Sequence, residues 1–599
     1  MYKYVVKILV LLTKREKQKL VFVLIGMIIA GLFEVLGVGS ILPFVSVISN
    51  PEIIQTNEYL SLAYNIFGFS SGSTFIFILG IGVIIFLFIS NVARTLSSYM
   101  VKRYSAMRNH SFSVRLLQMY ISQPYSFFLN KNSSELVKNI LGEVNVVIRA
   151  FLLPLLEMIK NIIIGIFIIG MLLFVEPILT IIVATILSSL YIFIYYIFRN
   201  ILKKLGAERL VSNTQRFKYA NEVLNGIKSV KVLGRESVFL GLFTKPSKKL
   251  CKNQAYSDII GDVPRYLIET FVFGGILLVI LYLFQARDSI QDIIPILSLY
   301  IFAGYRLMPA MQKIFKSLTK LKFNTSVVDL IHDHLVNNTV VALPGVINDS
   351  EKKKFKNELK LENISFSYQG TSEKIIKDQS FSIKANTTVG LVGSTGCGKT
   401  TLVDIILGLL EPQEGQILVD DVMINSENRR NWQANLGYVP QSIFLTDDTI
   451  ASNIAFGVPE DKIDLELVRN VAGIADLSTF IEEELEDKYK TVVGDRGIRL
   501  SGGQRQRIGI ARALYFNPSV LILDEASSAL DGLTEKAIMD SIYKLSHEKT
   551  IIMIAHRLTT IKGCDVIYIM DKGIVVDSGT YDELIECNDN FRHMAEGNK

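Results

Sequence analysis

The distribution of apolar residues constrains the fold of this 599-residue chain more than any other feature. Six segments are apolar enough and long enough to cross a bilayer, near residues 20–48, 75–99, 150–174, 178–198, 267–284 and 293–311. Glu176-Pro177 is interpreted as a tight turn, so the third and fourth spans form an antiparallel hairpin. We therefore predict an α-helical six-span membrane domain over residues 1–323, followed by a soluble domain.

Basic residues in the predicted loops indicate how the spans are oriented. The first 19 residues carry six Lys and Arg, and the loops near 100–149 and 199–265 are long and basic, whereas residues 50–72 contain neither. Because Lys and Arg stay on the cytoplasmic side, we expect both termini in the cytoplasm. The long loops predict helical extensions into the cytoplasm, with tips that include residues 126–130 and 219–224. This topology explains the net charge of +6, so no nucleic-acid partner is expected.

Residues 393–400, GSTGCGKT, match the phosphate-binding loop pattern G-x-x-x-x-G-K-[ST] at every position. Glycines let successive backbone N–H groups converge on an anion, and the following helix presents its positive end to the same phosphates. We expect Lys399 to reach the β- and γ-phosphates of ATP and the Thr400 hydroxyl to hold Mg²⁺. A chance glycine-rich turn is the alternative, and the motifs downstream disfavour it. The predicted ATP-binding loop consists of Gly393, Ser394, Thr395, Gly396, Cys397, Gly398, Lys399, Thr400 and Thr401.

Several apolar strands end in residues that suit phosphate chemistry. One precedes Asp524 and Glu525, so we predict that Asp524 binds Mg²⁺ and that Glu525 orients the attacking water. Another ends at His556, which is expected to contact the γ-phosphate, with an ordinary solvated histidine as the alternative. Gln441 follows a third strand, and its amide is expected in the shell of Mg²⁺ and water. Tyr368 is placed to stack on adenine, with a core or surface tyrosine as the alternative.

A second run of small residues, Ser501-Gly502-Gly503-Gln504, opens a predicted helix from Arg505 to Tyr515. Free N–H groups at a helix N-terminus bind anions by the same logic as the phosphate loop. One nucleotide does not need two such sites from one domain. Two copies arranged head to tail would place each run across from the phosphate loop of the other, so we predict a homodimer that holds ATP between its copies.

Charged residues also lie within or beside the predicted spans, where each charge is costly and normally faces protein or a watery cavity. Arg94, Arg265 and Arg306 are the candidate substrate contacts, because a cationic cavity suits a phosphate-bearing substrate. Structural ion pairs are the alternative. Glu269 stands four residues after Arg265, at the spacing of a helix-surface pair, whereas Arg306 has no carboxylate nearby in its own span.

Together these motifs resemble those of ABC transporters of the exporter type, and in particular half-transporters in which six spans precede one ATPase domain and which work as dimers. The resemblance implies an α/β P-loop ABC ATPase domain over residues 359–599, after a linker at 324–358. It also implies that the nucleotide is ATP with Mg²⁺, that ATP hydrolysis drives transport, and that membrane lipid surrounds the first half of the chain.

The same resemblance assigns roles to individual residues. Lys399, Glu525 and His556 match the catalytic set of the family. Residues 528–531, SALD, match its D-loop, which implies that Asp531 contacts the ATP of the partner copy together with Ser501, Gly502, Gly503 and Gln504.

The membrane half is similar to that of bacterial flippases of lipid-linked oligosaccharides. The similarity rests on Phe33-Glu34, Gly142-Glu143-Val144, Val263-Pro264-Arg265 and Tyr305-Arg306-Leu307-Met308-Pro309. It implies ATP-driven flipping of a lipid-linked oligosaccharide or a related glycolipid across the inner membrane of a bacterium. It also makes Arg94 the candidate for a substrate-contacting arginine in the second span. An exporter of another lipid, a drug or a peptide, and an ATP-gated channel or regulator, are the alternatives.

Overall fold

The computed structural model describes residues 2–69, 71–286, 290–337, 352, 354–371, 373–526, 532–555 and 557–596. Contacts between residues divide the chain into two units. Unit 1 contains Met1–Gln123 and Asn130–Leu343, and unit 2 contains Pro124–Leu129 and Pro344–Lys599. The apolar and the polar parts of the sequence therefore form separate units, apart from the six residues at 124–129.

Unit 1 is helical, because its apolar runs are far longer than a strand. Its helices are Tyr2–Leu11, Lys14–Gly39, Ile41–Ser49, Ile53–Thr56, Glu58–Ile66, Gly72–Ile121, Ser133–Val175, Pro177–Asn225, Ile227–Val232, Glu236–Ala286, Ile290–Phe323 and Thr325–Asn337. The helix Ser133–Val175 includes two π-helical stretches, Lys138–Glu143 and Val147–Leu152. Glu176 alone separates the helices that end at Val175 and begin at Pro177, which is the tight turn expected there.

Among the described residues, five helices are long and apolar enough to cross a membrane, namely Lys14–Ser49, Gly72–Ile121, Ser133–Val175, Pro177–Asn225 and Ile294–Phe323. These helices contain five of the six predicted spans. The other predicted span, at 267–284, falls within the helix Glu236–Ala286, where many side chains lie outside the described residues.

Three helices of unit 1 are much longer than a bilayer requires. Gly72–Ile121, Pro177–Asn225 and Glu236–Ala286 contain 50, 49 and 51 residues, whereas about 20 residues suffice to span the hydrocarbon core. At a rise of about 1.5 Å per residue, each helix is about 75 Å long. The long basic loops of the sequence are therefore helical extensions, as their length predicts.

The tips of these extensions differ from each other. In the first, Tyr125–Leu129 forms a short helix that belongs to unit 2. In the second, residues 219–224 form the last turns of the helix that ends at Asn225. Gly226 and the short helix Ile227–Val232 follow directly, so the expected tip residues lie at the end of the extension.

The predicted linker at 324–358 begins with a helix that packs in unit 1. Val328 and Ile331 of the helix Thr325–Asn337 are fully buried. Asp329, on the same helix, forms a salt bridge with Lys7 of the N-terminal helix. Unit 1 therefore includes part of the predicted linker.

Unit 2 is built on two sheets. Its strands are β1 Glu358–Phe366, β2 Ile376–Lys384, β3 Thr388–Gly393, β4 Glu414–Val419, β5 Val422–Met423, β6 Leu436–Val439, β7 Val520–Asp524, β8 Thr550–Ile554, β9 Val566–Asp571 and β10 Ile574–Gly579. One sheet is antiparallel, in the order β2-β1-β4-β5, and the other has the order β10-β9-β3-β8-β7-β6. In the second sheet the strands from β9 to β6 are parallel, and β10 is an antiparallel edge strand.

The parallel strands explain where the functional residues of unit 2 meet. Strands β7 and β8 are buried along their whole length, as their unbroken apolar sequences predict. Their carboxyl ends lie beside that of β3, so residues that follow Gly393, Leu523 and Ile554 share one edge of the sheet. The helices of unit 2 are Tyr125–Leu129, Lys399–Ile406, Arg429–Gln433, Ile450–Ile454, Leu465–Ile474, Gly502–Tyr515, Gly532–Tyr543, Tyr581–Cys587 and Asp589–Glu596.

Candidate functional site

The phosphate loop joins β3 to the helix Lys399–Ile406, and its glycines are required by its geometry. Gly393, Gly396 and Gly398 have φ angles of +155°, +84° and +105°, which other residues rarely adopt. A Cβ atom on Gly393 would also lie 2.2 Å from the Met570 carbonyl oxygen. The loop therefore follows a tight path that turns its backbone N–H groups inward, toward the start of the helix.

The amine of Lys399 is folded back over this loop. Its Nζ donates hydrogen bonds to the carbonyl oxygens of Gly393, at 2.8 Å, and Ser394, at 3.1 Å. The side chain is buried, so its positive charge is held at the concave side of the loop. This is the position from which a lysine neutralises bound phosphates.

Tyr368 lies beside the first turn of the phosphate-loop helix. Its hydroxyl is 3.0 Å from the Thr401 hydroxyl. Its ring packs edge-on against Phe366, with centroids 5.2 Å apart. The predicted adenine-stacking residue is thus next to the predicted ATP-binding loop, and stacking itself stays a prediction.

Asp524 ends β7 and is 4% exposed. Tyr438, on the neighbouring strand β6, lies near the Asp524 carboxylate, and burial together with the charges of Asp524 and Asp404 raises the pKa of the Tyr438 phenol. Asp404 lies near the same carboxylate, and burial together with the Asp524 charge raises the pKa of Asp404 to about 6. Two carboxyl groups and a phenol therefore cluster at the end of β7, with Asp524 buried and the other two side chains half-buried.

Glu525 and Gln441 are in direct contact. The Gln441 Nε2 atom donates a hydrogen bond of 2.6 Å to the Glu525 Oε2 atom. Glu525 has a φ angle of +51°, a left-handed conformation that costs a non-glycine residue about 1–3 kcal/mol. Its N–H group donates to the Ile554 carbonyl oxygen at 3.1 Å, which fixes the strained turn at the sheet edge.

The oxygen donors suit Mg²⁺. Thr400, Gln441 and Asp524 offer a hydroxyl, an amide carbonyl and one carboxylate, and Mg²⁺ is commonly held by one or two carboxylates together with substrate phosphates. In the described parts of the chain, no three His, Cys, Asp or Glu residues form a metal-binding group of their own. The donor set therefore fits a metal that arrives with a nucleotide, rather than an all-protein metal site.

Ser501 caps the helix Gly502–Tyr515. Its hydroxyl accepts from the Gln504 N–H group at 3.2 Å, and its own N–H group donates to the Gln504 side chain at 2.8 Å. This capping box orders the run at residues 501–504 and satisfies one of the helix's initial donors. The N–H groups of Gly502 and Gly503 have no intrahelical acceptor, by the geometry of a helix start.

Two predicted site residues, His556 and Asp531, lie outside the described residues. Their neighbours are placed at the same sheet edge and at the start of a helix. Ala555 follows β8 and donates its N–H to the Leu391 carbonyl oxygen of β3. The helix Gly532–Tyr543 begins directly after Asp531.

In unit 1, two of the three candidate substrate arginines meet one carboxylate. Arg306 Nη1 lies 3.1 Å from Glu34 Oε1, and Arg94 Nη1 lies 3.6 Å from the same oxygen. The residues come from three different helices. Arg306 thus has a carboxylate partner after all, supplied by another span.

Arg265 has a partner on its own helix. Its Nε atom donates a 3.0 Å hydrogen bond to Glu269, four residues later, and the Arg265 side chain is 60% exposed. The helix-surface ion pair that its spacing predicts is therefore present. A contact between Arg265 and a substrate stays a prediction.

Sequence reasoning missed the roles of Tyr438 and Asp404, and it missed the pairing of Glu34. Tyr438 stands three residues before Gln441, on a strand parallel to β7, where it pairs with Ile522, two residues before Asp524. No local signal joins Glu34 to Arg306, because they are 272 positions apart.

Comparison with known proteins agrees with this geometry. Residues 376–528 match the family model for the ABC transporter, and residues 20–305 match that for the ABC transporter transmembrane region. A solved structure of a bacterial Atm1-family ABC exporter with ATP bound superposes with a TM-score of 0.79 at 21% identity. The match covers 97% of this chain and 98% of that one, and it shows that the two share a fold.

Curated relatives of similar length are named ATP-dependent lipid A-core flippases. The protein from Haemophilus influenzae strain 86-028NP is 29% identical over 542 residues, which is 87% of this chain and 88% of the relative. The protein from Burkholderia orbicola is 27% identical over 514 residues, which is 86% of this chain and 85% of the relative.

The two family matches lie in the order that the two units require, with apolar helices first and the phosphate-loop fold second. They confirm the predicted family, the ATP-binding domain and the multi-pass membrane region. The chain belongs to the ABC transporters, as a helical membrane domain fused to one ATPase domain that couples ATP hydrolysis to transport.

Proposed function

We propose that this transporter flips an anionic glycolipid, such as a lipid-linked oligosaccharide, across the bacterial inner membrane as a homodimer. The observation that carries the proposal is the contact of Arg94 and Arg306 with Glu34, inside the helical unit. Charges at membrane depth are costly, so they persist where function or pairing requires them. Two arginines against one carboxylate leave a positive charge, which suits a phosphate-bearing lipid.

The ATPase residues have separable tasks in this proposal. Lys399 exchanges its loop carbonyl partners for β- and γ-phosphate oxygens, and its charge offsets the charge that develops during transfer. Glu525 accepts a proton from the attacking water or orients it, and His556 contacts the γ-phosphate. Gln441 holds the Glu525 carboxylate, so substitution of either residue should disturb the same step.

Mg²⁺ would be held by Thr400, Gln441 and Asp524, and it supplies charge neutralisation between the phosphates when bound. Tyr438 lies near the Asp524 carboxylate, and its hydroxyl would orient that carboxylate for the task. Tyr368 would support the adenine ring at the other end of the nucleotide.

A homodimer follows from the pairing of motifs within one chain. The phosphate loop and the capped run at residues 501–504 are both intact, and the helix start at Ser501 retains N–H donors for an anion. In two copies arranged head to tail, Ser501, Gly502, Gly503, Gln504 and Asp531 of one copy would face the ATP of the other. A nucleotide-loaded Glu525→Gln variant is expected to elute as a dimer in detergent, and a persistent monomer would contradict this arrangement.

The substrate proposal is tested with the double variant Arg94→Gln/Arg306→Gln in reconstituted vesicles. We expect flipping of a fluorescent polyprenyl diphosphate glycan to fall by at least tenfold, because both proposed headgroup contacts are lost. Lys316→Gln is the matched control, since it removes an exposed cation that pairs with Asp262 in the same unit. Flipping by the double variant at the control rate would refute the substrate site. Arg265→Gln then tests the third candidate contact alone.

The names of the relatives favour a second candidate, a lipid A-core glycolipid. Both candidates are amphipathic glycolipids, so the arginine variants alone do not separate them. Stimulation of ATP hydrolysis by each purified lipid, compared at equal mole fraction in the same vesicles, identifies the preferred one.

A further inference from the structure

The two carboxylate oxygens of Glu34 have different surroundings. Glu34 is 2% exposed, and its Oε1 atom contacts both Arg306, at 3.1 Å, and Arg94, at 3.6 Å. Its Oε2 atom is buried and has no hydrogen-bond partner within the described parts of the chain. A buried carboxylate oxygen without a partner carries a desolvation cost that folding alone does not explain.

The surroundings of Glu34 carry surplus positive charge. Lys160, from the helix Ser133–Val175, is buried and donates a 2.8 Å hydrogen bond to the Ser98 hydroxyl. Its electrostatic neighbours are Lys313, Glu157, Arg94 and Glu34. With Arg306 added, four basic side chains face two acidic ones among the described residues. The net charge of the cluster is therefore about +2, and about two further negative charges would neutralise it.

The exposed fraction of the side chain increases from Glu34 to Arg306 to Arg94. The Glu34 side chain is 3% exposed, that of Arg306 is 14% exposed and that of Arg94 is 36% exposed. Glu34 therefore forms the closed end of the cluster, and Arg94 forms the open end. A ligand that enters from the open side meets guanidinium groups first and the carboxylate last.

We infer that Glu34 is an internal counter-ion that competes with an anionic lipid headgroup for the two arginines and sets how much charge that headgroup must carry. The inference rests on the proposed function. A carboxylate oxygen and a phosphate oxygen are alternative acceptors for the same guanidinium donors. A headgroup with two negative charges neutralises the cluster, whereas one with a single charge leaves it positive. Glu34 thereby favours diphosphate-linked lipids over monophosphate diesters.

The test is the variant Glu34→Gln in phosphatidylcholine vesicles. The probes are dodecyl methyl diphosphate, a diester with two negative charges, and dodecyl methyl phosphate, a diester with one, and dodecanol is the uncharged control. We expect the diphosphate concentration that half-maximally stimulates ATP hydrolysis to fall about tenfold, because the competing acceptor is neutralised. Glu34→Asp retains the charge and should stay within about twofold of wild type. If Glu34 served only in packing, Glu34→Gln would not lower the diphosphate concentration needed for half-maximal stimulation.

A second readout applies if Glu34→Gln cannot be purified. The variants Arg94→Gln and Glu34→Gln/Arg94→Gln are compared, and we expect the double variant to respond at about tenfold lower diphosphate than Arg94→Gln alone. The inference is overturned if Arg94→Gln and Glu34→Gln/Arg94→Gln respond at the same diphosphate concentration, or if Glu34→Gln responds like wild type. Either result leaves the proposed function standing. A wild type that neither phosphate lipid stimulates beyond dodecanol overturns both.

Discussion

The nucleotide site of unit 2 and the Glu34 cluster of unit 1 are built in opposite ways. The nucleotide site is assembled from short motifs at the carboxyl ends of adjacent parallel strands. Its longest motif is one continuous stretch, residues 393–401, whose backbone forms the loop. The Glu34 cluster takes one side chain from each of several helices, and Glu34 and Arg306 are 272 positions apart.

The difference reflects which groups do the binding. Backbone N–H groups converge on a phosphate only where successive residues adopt special φ angles, so the chemistry needs contiguous glycines. Ion pairs between side chains need only proximity, which long helices provide between any positions at the same depth. A phosphate loop can therefore be recognised in a sequence as a motif. A charge cluster in a membrane domain appears in the sequence only as separate charged residues whose pairing is not evident.

The largest effect is expected in the nucleotide site. Glu525→Gln should lower kcat for ATP hydrolysis by about 10³-fold, because the group that activates water loses its charge. Nucleotide binding should persist, since Lys399 and the loop backbone are unchanged. Glu362→Gln is the control, because its carboxylate pairs with Lys360 on the surface of the same unit. A residual rate within tenfold of wild type would show that Glu525 is not the essential base.

Substitutions in the Glu34 cluster should instead have strongly non-additive effects on the free energy of unfolding. Glu34→Gln is expected to lower the free energy of unfolding of unit 1 by about 3 kcal/mol, because two guanidiniums lose a buried partner. Glu34→Gln/Arg306→Gln should cost at least about 1 kcal/mol less than the sum of the single variants. Thermal unfolding in one detergent measures the cycle. Strictly additive losses would mean that the contact seen between the two side chains contributes no coupling.

The Tyr438 hydroxyl provides a smaller effect within the nucleotide site. We expect the Tyr438 hydroxyl to donate to the nearby Asp524 carboxylate when Mg²⁺ binds, an interaction worth about 1.5 kcal/mol. Tyr438→Phe should therefore raise the Mg²⁺ concentration for half-maximal hydrolysis about tenfold. Tyr568→Phe is the matched control, because that hydroxyl donates to the Ser382 carbonyl oxygen elsewhere in unit 2. An unchanged Mg²⁺ dependence would show that Asp524 does not need this orientation.

The smallest expected effect is a pH dependence confined to unit 1. Burial lowers the pKa of His334, whose Nδ1 atom lies 3.3 Å from the Tyr120 hydroxyl. A depressed pKa in the folded state means that stability is fully present above the ordinary value of 6.5 and is lost as pH falls through the folded value. The loss should be about 1 kcal/mol or less. Thermal unfolding at pH 7.5 and 5.0 should differ less in His334→Phe than in wild type, and equal differences would exclude His334.

Much of unit 2 is readable from the sequence. Uninterrupted apolar strands followed by Gly393, Asp524 and Glu525 predict both the parallel sheet and the edge at which these residues meet. The contact between Gln441 and Glu525 refines this prediction, because the motifs indicate that both residues serve one nucleotide but not that they touch. The sequence did not predict the positions of Asp404 and Tyr438 beside Asp524, because neither residue belongs to a recognised motif.

Unit 1 is readable at a coarser level. Apolar length predicts helices, and loop length predicts their extensions. The exact turn at Gly226 was not predicted, because residues 219–224 before it are still helical. The interpretation of Arg306 changed most. Its own span lacks a carboxylate, and only the packing of two distant helices brings Glu34 to it.

By itself, the sequence determined the family and the order of the two domains, and it predicted the atoms that would hold a triphosphate, because those features depend on local backbone geometry and on the length of apolar runs. The tertiary structure decided which charges share a partner, since electrostatic energy depends on distance in space and burial. Arg265 therefore pairs with Glu269, which the sequence already places four residues later, on an exposed helix surface. Arg306 instead lies beside a buried carboxylate that only the fold brings to it.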